Sequence, residues 1–338
     1  MTGSETSKER VKKVFSGVKP SSVPFMPWVC IHAARVEQLP LQKMLSDPSL
    51  LARALQSAHK LYGYDMGINI FDPAIEAEAC GCAVQWADDR ELPVVKDHPP
   101  IDQMSENAIS NLRNGGRLPV VLEATKRLKI NLGRAVAIAG VLTGPFAVAS
   151  HLTGHGIIDD LETRPERARN IIELAGKVCL EVCKSYGDLE LDLIGLADSV
   201  LPQLPIRYLP LALSVLKPLL NVIRFYDSVP ILLAHGCTKD SLDLLVKIEV
   251  DGMVVDGTIE SDLREKIPHC VVGKAIPLPL LQGPKERLIA HIQDCLKGDG
   301  RGLFISTEWQ VPYDTPPENM HAIMRTIRES ELGRDGRA

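Results

Sequence analysis

Ala135-Val136-Ala137-Ile138-Ala139-Gly140-Val141-Leu142, followed at once by Thr143-Gly144-Pro145-Phe146, decides the fold. It is an unbroken apolar run closed by a turn, the pattern of a parallel strand buried on both faces. A long amphipathic helical stretch follows at 164–186, ended by Gly187, and then a second apolar run at 189–196. The same alternation continues outward from this strand–helix–strand unit. Further Val- and Ile-rich runs lie at 23–31, 66–71, 229–234, 252–255, 270–275 and 302–306. Helical stretches lie at 50–61, opened by Ser46-Asp47-Pro48, and at 239–248, 259–266, 285–296 and 317–329. A polar tail at 332–338 is expected to fray. Eight strand candidates separated mostly by helices predict an α/β chain folded as a (β/α)8 TIM barrel. No G-x-G-x-x-G follows an early strand and no P-loop is present, which argues against a doubly wound open sheet. Gly115-Gly116 is read as a turn, and 86–119 as an excursion from the barrel. The whole of 1–338 is expected to be one domain, with about 9–329 as its ordered core.

Composition narrows the function. The 338 residues are 24% charged and 45% hydrophobic, with 38 Lys and Arg against 43 Asp and Glu, a net charge of −5. That balance does not suit a nucleic-acid surface. The start of the chain is polar, without the apolar segment of a secretory signal. The longest apolar stretch, 209–222, contains Pro210, Lys217 and Pro218, so no membrane span is expected. A soluble cytoplasmic protein is the expectation, and in that setting the eight cysteines are not expected to form disulfides; most are expected to be core thiols, with Cys237 set apart.

A barrel carries its chemistry at the C-terminal ends of its strands. The residues placed there are His32, Arg35, Asp72, Glu76, Glu78, His151, Asp198, His235, Cys237, Asp256, Lys274, Glu308 and Trp309. In Leu233-Ala234-His235-Gly236-Cys237, an imidazole and a thiol come within reach of one cation. Both are good zinc ligands, although a tetrahedral site needs at least one more. Phe71-Asp72-Pro73-Ala74-Ile75-Glu76-Ala77-Glu78 puts three carboxylates past the second strand, where Asp72 could face the mouth or simply cap a turn. His151 sits on an apolar helix after Gly144-Pro145, and a core histidine is the plain alternative there.

Several segments stand together in order: Ser46-Asp47-Pro48, Leu61-Tyr62-Gly63-Tyr64-Asp65, Phe71-Asp72-Pro73 with Glu76-Ala77-Glu78-Ala79, Thr143-Gly144-Pro145-Phe146, and Asp314-Thr315-Pro316-Pro317-Glu318-Asn319. On these the chain resembles the uroporphyrinogen decarboxylase superfamily, and most of all its cobamide-dependent methyltransferase branch. The resemblance implies a distorted (β/α)8 barrel with a deep mouth. It further implies methyl transfer between a small methylated molecule, or a thiol acceptor, and a corrinoid carried by a partner protein. It implies a zinc ion on His235 and Cys237; the branch's third ligand, a cysteine, corresponds to Trp309, so Glu308, or a carboxylate from Asp72, Glu76 or Glu78, would complete the site. Asp72 and His151 would be catalytic. Arg35, Glu76, Glu78, Asp198, Asp256, Lys274 and Trp309 would bind substrate, and a homodimer is the implied assembly. Two alternatives stay open: a uroporphyrinogen decarboxylase-type lyase, and a non-catalytic barrel that binds a corrinoid or a tetrapyrrole. The decarboxylase's arginine segment survives here only as Arg35 in Ile31-His32-Ala33-Ala34-Arg35.

Overall fold

Residues 5–98, 109–154, 156–255, 259–297 and 301–335 are described by a computed structural model of the chain. In chain order the strands are β1 (Phe25–Trp28), β2 (Met66–Ile68), β3 (Ala83–Gln85), β4 (Val94–Asp97), β5 (Ala137–Thr143) and β6 (Leu193–Asp198). They continue with β7 (Val229–Ala234), β8 (Gly252–Val255), β9 (Val271–Val272), β10 (Lys274–Ile276) and β11 (Ile305–Gln310). A parallel sheet runs β2-β5-β6-β7-β8-β9, a second runs β1-β11-β10, and β3-β4 is a separate antiparallel hairpin.

The two parallel sheets join into a distorted TIM barrel at two seams. At the first, Asp65 donates its N–H to the Phe25 carbonyl at 2.8 Å while its Oδ2 accepts the Phe25 N–H at 2.9 Å. A side chain there takes the place of a ladder bond between β1 and β2. At the second, the apolar run 270–275 divides at Gly273. The Gly273 N–H still bonds the Met253 carbonyl, but the next amide, Lys274, bonds Phe304 instead. Successive amides of one strand thus face the two sheets, and glycine is required at 273 because a Cβ there would lie 2.3 Å from the Phe304 ring.

The interior is filled as the pattern requires. Every residue of β5 and β6 is buried, and Trp28, Phe25, Met26 and Phe71 are almost wholly so. Burying one such side chain contributes about 1.5–3 kcal/mol. The helix Pro48–Tyr62 begins where Asp47 accepts the N–H groups of Ser49 and Leu50, and ends at Gly63 with φ 71°.

Several expected elements need correction. Helix Leu118–Leu132 occupies ground assigned in part to the 86–119 excursion. Residues 99–108 of that excursion, Pro99-Pro100 among them, lie outside the described residues. The 239–248 helix shrinks to a 3-10 turn followed by Leu242–Leu245. The last helix, Pro317–Asp335, runs into the supposed tail, of which 336–338 lie outside the described residues. Leu209–Phe225 is one continuous helix. Pro210 stands in its first turn, where no N–H is needed, and Pro218 lies on its exposed face, where water can meet the freed carbonyl. Ile206–Phe225 is long and apolar enough, by length and composition alone, to cross a membrane. In this structure it packs as an outer helix on Pro165–Gly187 and buries Leu211, Val215, Leu219 and Ile223.

Candidate functional site

The ends of β2, β5, β6 and β11 converge on a cavity of ≈ 40 Å³. Phe71, Asp72, Thr143, His151, Ser199 and Trp309 are among its walls. It can hold a few water molecules or a methyl-sized head group, far less than the 300–1,000 Å³ of a pocket for a whole drug-sized ligand. His151 and Pro73 also border an outer cleft of ≈ 870 Å³ beneath the β3–β4 hairpin. His151 therefore stands between the inner chamber and the outer cleft.

Asp72 is held by a residue that the sequence did not single out. Its Oδ2 accepts from Arg117 Nη1 at 2.7 Å, and its Oδ1 caps the Ala74 N–H at 3.0 Å. Arg117 Nε reaches Glu78 Oε2 at 2.7 Å, and the guanidinium lies over the Trp86 ring, 5.1 Å from its centroid. The side chains of Asp72 and Arg117 are 0% and 9% exposed. The signal that could have found Arg117 is the pair of glycines before it. A Cβ on Gly115 would come 2.3 Å from the Ala79 carbonyl oxygen, and Gly116 has φ +51° with Glu78 Cγ 2.8 Å from where its Cβ would be. Only a backbone without Cβ atoms passes this closely over Ile75–Ala79 and delivers Arg117 to both carboxylates. Glu78, though paired, is held above the usual carboxylate range by its burial, against the pull of Arg117.

Glu76 faces the other way. β2 stops at Ile68, so the amides of β5 beyond it lack a partner strand. Asn69 Oδ1 takes the Val141 N–H at 3.0 Å, and Glu76 Oε1 takes the Thr143 N–H at 3.1 Å. Two side chains thus continue the ladder. Glu76 Oε2 and Asn69 Nδ2 are buried without a partner. Burial pushes the Glu76 carboxyl up to about 7. Its folded value lies above the ordinary 4.5, so its contribution is complete below that value and is lost as pH rises through about 7. Between pH 5 and 8 this residue alone should cost the chain about 3 kcal/mol of stability. Glu76→Gln should flatten that part of the curve, as urea midpoints at the two pH values will show. Asp198, also pushed up by burial, to about 6, contributes a slope of the same sign and stays in place.

Asp198 lines no part of the cavity. Its Oδ1 accepts the N–H groups of Val200 and Leu201 at 2.9 Å, and its Oδ2 that of Phe146 at 3.0 Å. Its carboxylate binds the loop after β6 to the helix Pro145–Thr153. His151, on that helix, has a buried Nδ1 without a partner. Burial lowers its pKa from 6.5, with the Pro73 backbone and the Asp72 charge pulling the other way. It is therefore neutral at pH 7.

Trp309 is the cavity's aromatic wall. Its ring meets Phe71 edge-on at 4.6 Å and lies against the His235 imidazole at 5.1 Å and 33°. Cys237 Sγ donates to the Ala234 carbonyl at 3.0 Å. Glu308 Oε2 accepts the Leu278 N–H at 3.3 Å. Among the described residues no three His, Cys, Asp or Glu side chains come together as a metal site. The described donors do not by themselves make up the zinc site that the resemblance implies.

The remaining candidates lie elsewhere. Arg35 borders a separate cleft with Asp89, Arg90, Tyr313 and Asp314, and donates to the Thr315 carbonyl at 3.2 Å. Lys274 Nζ donates to the Cys295 carbonyl at 2.9 Å, on the side of β10 facing the helix Lys285–Cys295. His32 is buried between the Tyr62 hydroxyl and the Tyr313 carbonyl. Asp256 lies outside the described residues. The structure thus brings Asp72, His151 and Trp309 to one cavity, with Glu76 and Glu78 behind its wall.

Comparison with known proteins bears on this geometry. The methylcobamide:CoM methyltransferase MtbA of Methanosarcina acetivorans is 24% identical over 96% of this chain and 98% of its own length. The uroporphyrinogen decarboxylase of Anaeromyxobacter dehalogenans is also 24% identical, over 62% of this chain and 63% of its own. A solved methyltransferase from Methanosarcina mazei superposes with a TM-score of 0.85 at 23% identity, covering 96% of this chain and 99% of that one. The uroporphyrinogen decarboxylase (URO-D) profile matches residues 6–330. With nearly its whole length matched and its strands closed into the same distorted barrel, this chain belongs to the URO-D family.

Proposed function

We propose that the chain is a methyltransferase that moves a methyl group between a small molecule and a corrinoid carried by a partner protein. The observation that carries the reading is the cavity of ≈ 40 Å³ behind His151, which admits the methylated or thiol end of a small molecule but no macrocycle. The full-length likeness to a methylcobamide:CoM methyltransferase supports it. The corrinoid supplies the cobalt-bound methyl, and the rest of the work falls to this chain. Trp309 and Phe71 wall the chamber with apolar surface, which keeps water from a reactive methyl. Neutral His151, with its open Nδ1, takes the proton that an acceptor thiol must lose before it attacks. Asp72, fixed by Arg117, orients the bound group. No step is routed through a zinc ion, because the described donors do not by themselves make a site for one.

A decarboxylase would need several cations around a substrate with eight carboxylates. Arg117 is already bound to two carboxylates of its own chain, and Arg35 opens onto another cleft. The test supplies methylcobalamin with simple thiols and follows loss of its absorbance and thioether formation by mass spectrometry. Turnover with thioether produced in equal amount is the expected result. Coproporphyrinogen formed from uroporphyrinogen, without thioether, would reverse the reading.

A further inference from the structure

We infer that the cleft beneath the β3–β4 hairpin holds the body of the small molecule whose reacting end enters the inner chamber, and that this body is an extended apolar one ending in an anionic group beside Lys96. The inference names a substrate class for the methyl-transfer reading and rests on it. The cleft, at ≈ 870 Å³, falls in the range of about 300–1,000 Å³ that takes a whole ligand, and the inner chamber, at ≈ 40 Å³, does not. Pro73 and His151 belong to the walls of both. A molecule with one end beside His151 therefore continues into the cleft, whereas a short-chain thiol would leave it empty.

The hairpin is fixed at both ends, so the cleft is preformed. Trp86, just past β3, packs on the Arg117 guanidinium, which lies 5.1 Å from its ring centroid. Just past β4, His98 Nδ1 lies 2.7 Å from the His151 carbonyl oxygen, and the His98 ring fills the space that a Cβ on Gly154 would take, 2.4 Å from Nε2. The walls are sorted by chemistry. Leu92, Pro93, Val94, Val95 and Val200 supply apolar surface, and Val94 is left 62% exposed for a bound body to cover. Lys96 supplies charge. Among the described residues that line the cleft it is the one Lys or Arg, and none is Asp or Glu. Its Nζ donates to the neutral Gln85 Oε1 at 2.8 Å, so no ion pair offsets its charge among the described residues. An ammonium beside apolar surface favours a ligand with an apolar body and an anionic end.

Calorimetry on the purified full chain, without any corrinoid, reads the cleft apart from the reaction. The probes are mercaptoethanol, mercaptohexanol, mercaptohexanoate and aminohexanethiol. Mercaptohexanol should bind tighter than mercaptoethanol, on the order of tenfold or more, because its longer chain meets the apolar wall. Mercaptohexanoate should bind about two- to fivefold tighter again, the size of an exposed ion pair, and aminohexanethiol should bind weaker than mercaptohexanol. Lys96→Glu should reverse the order of the two charged probes, a gain for aminohexanethiol that misfolding cannot imitate. Equal affinity for mercaptoethanol and mercaptohexanol would overturn the inference, and so would an order of charged probes that Lys96→Glu leaves unchanged. With methylcobalamin added, kcat/KM should follow the order of the affinities. Thioether from none of the probes, with the affinities in the expected order, would count against the methyl-transfer reading and still support this assignment of the cleft.

Discussion

Arg117→Met should destabilise the chain by about 3–5 kcal/mol, the typical result of removing one partner from a buried ion pair. The guanidinium is 9% exposed and binds Asp72, at 0%, and Glu78, at 16%, both at 2.7 Å. Methionine keeps much of the stem's volume, so the loss is of charge and hydrogen bonds more than of packing. The two carboxylates would then be left facing each other in a dry site, with no cation to offset them. Restoring neutrality should recover much of the loss. Asp72→Asn combined with Arg117→Met should be more stable than Arg117→Met alone, although each single change destabilises the parent. Urea unfolding of the parent, the two single variants and the double variant measures this directly as a coupling free energy. If Arg117→Met costs less than about 1 kcal/mol, the typical upper value for an exposed pair, the triad is not buried as described. The loss should also reach function, since Arg117 holds the Oδ2 of Asp72 while the Ala74 N–H holds only its Oδ1.

The barrel was legible because its strands are buried on both faces, so each appears as a continuous apolar run with no alternation to blur it. The runs at 229–234 and 252–255 match β7 and β8 residue for residue. The run at 270–275 could not reveal that its successive amides bond to two different sheets, or that Gly273 lies against the Phe304 ring. Leu209–Phe225 was hidden by its prolines, whose cost depends on which face they occupy, and a linear sequence does not display faces. The site was harder to see than the fold. Asp72 and Asp198 look alike in the sequence, each just past a strand. What separates them is three backbone amides around one and an arginine 45 residues away beside the other. Arg117 went unnoticed because its two partners come from a distant part of the chain, and the clue was the local Gly115-Gly116. His235-Gly236-Cys237 presented metal chemistry by residue type alone, and a linear sequence does not show that the Trp309 indole lies against His235.

His151→Gln should lower kcat/KM for thiol methylation on the order of 10²–10⁴-fold, the usual contribution of a positioned general base. Glutamine keeps a hydrogen-bonding group at the boundary between the inner chamber and the outer cleft but cannot accept a proton at neutral pH. Stability should change little, because the Nδ1 that is lost has no partner to strand. The pH profile separates catalysis from mere shape. Burial lowers the His151 pKa from 6.5, so the imidazole stays neutral and competent as pH falls through that value and is protonated only below it. The acid limb of kcat/KM in the parent should therefore have its midpoint below 6.5, and in His151→Gln the limb should vanish. Asp72 and His98 act on the ring in opposite directions. Asp72 draws its pKa upward and His98, whose Nδ1 lies 2.7 Å from the His151 carbonyl oxygen, pushes it down. His98→Gln should accordingly move the acid limb to slightly higher pH and leave the plateau rate nearly unchanged. A rate for His151→Gln within fivefold of the parent, with the limb intact, would mean that the acceptor's proton leaves by another route and that His151 only lines the passage.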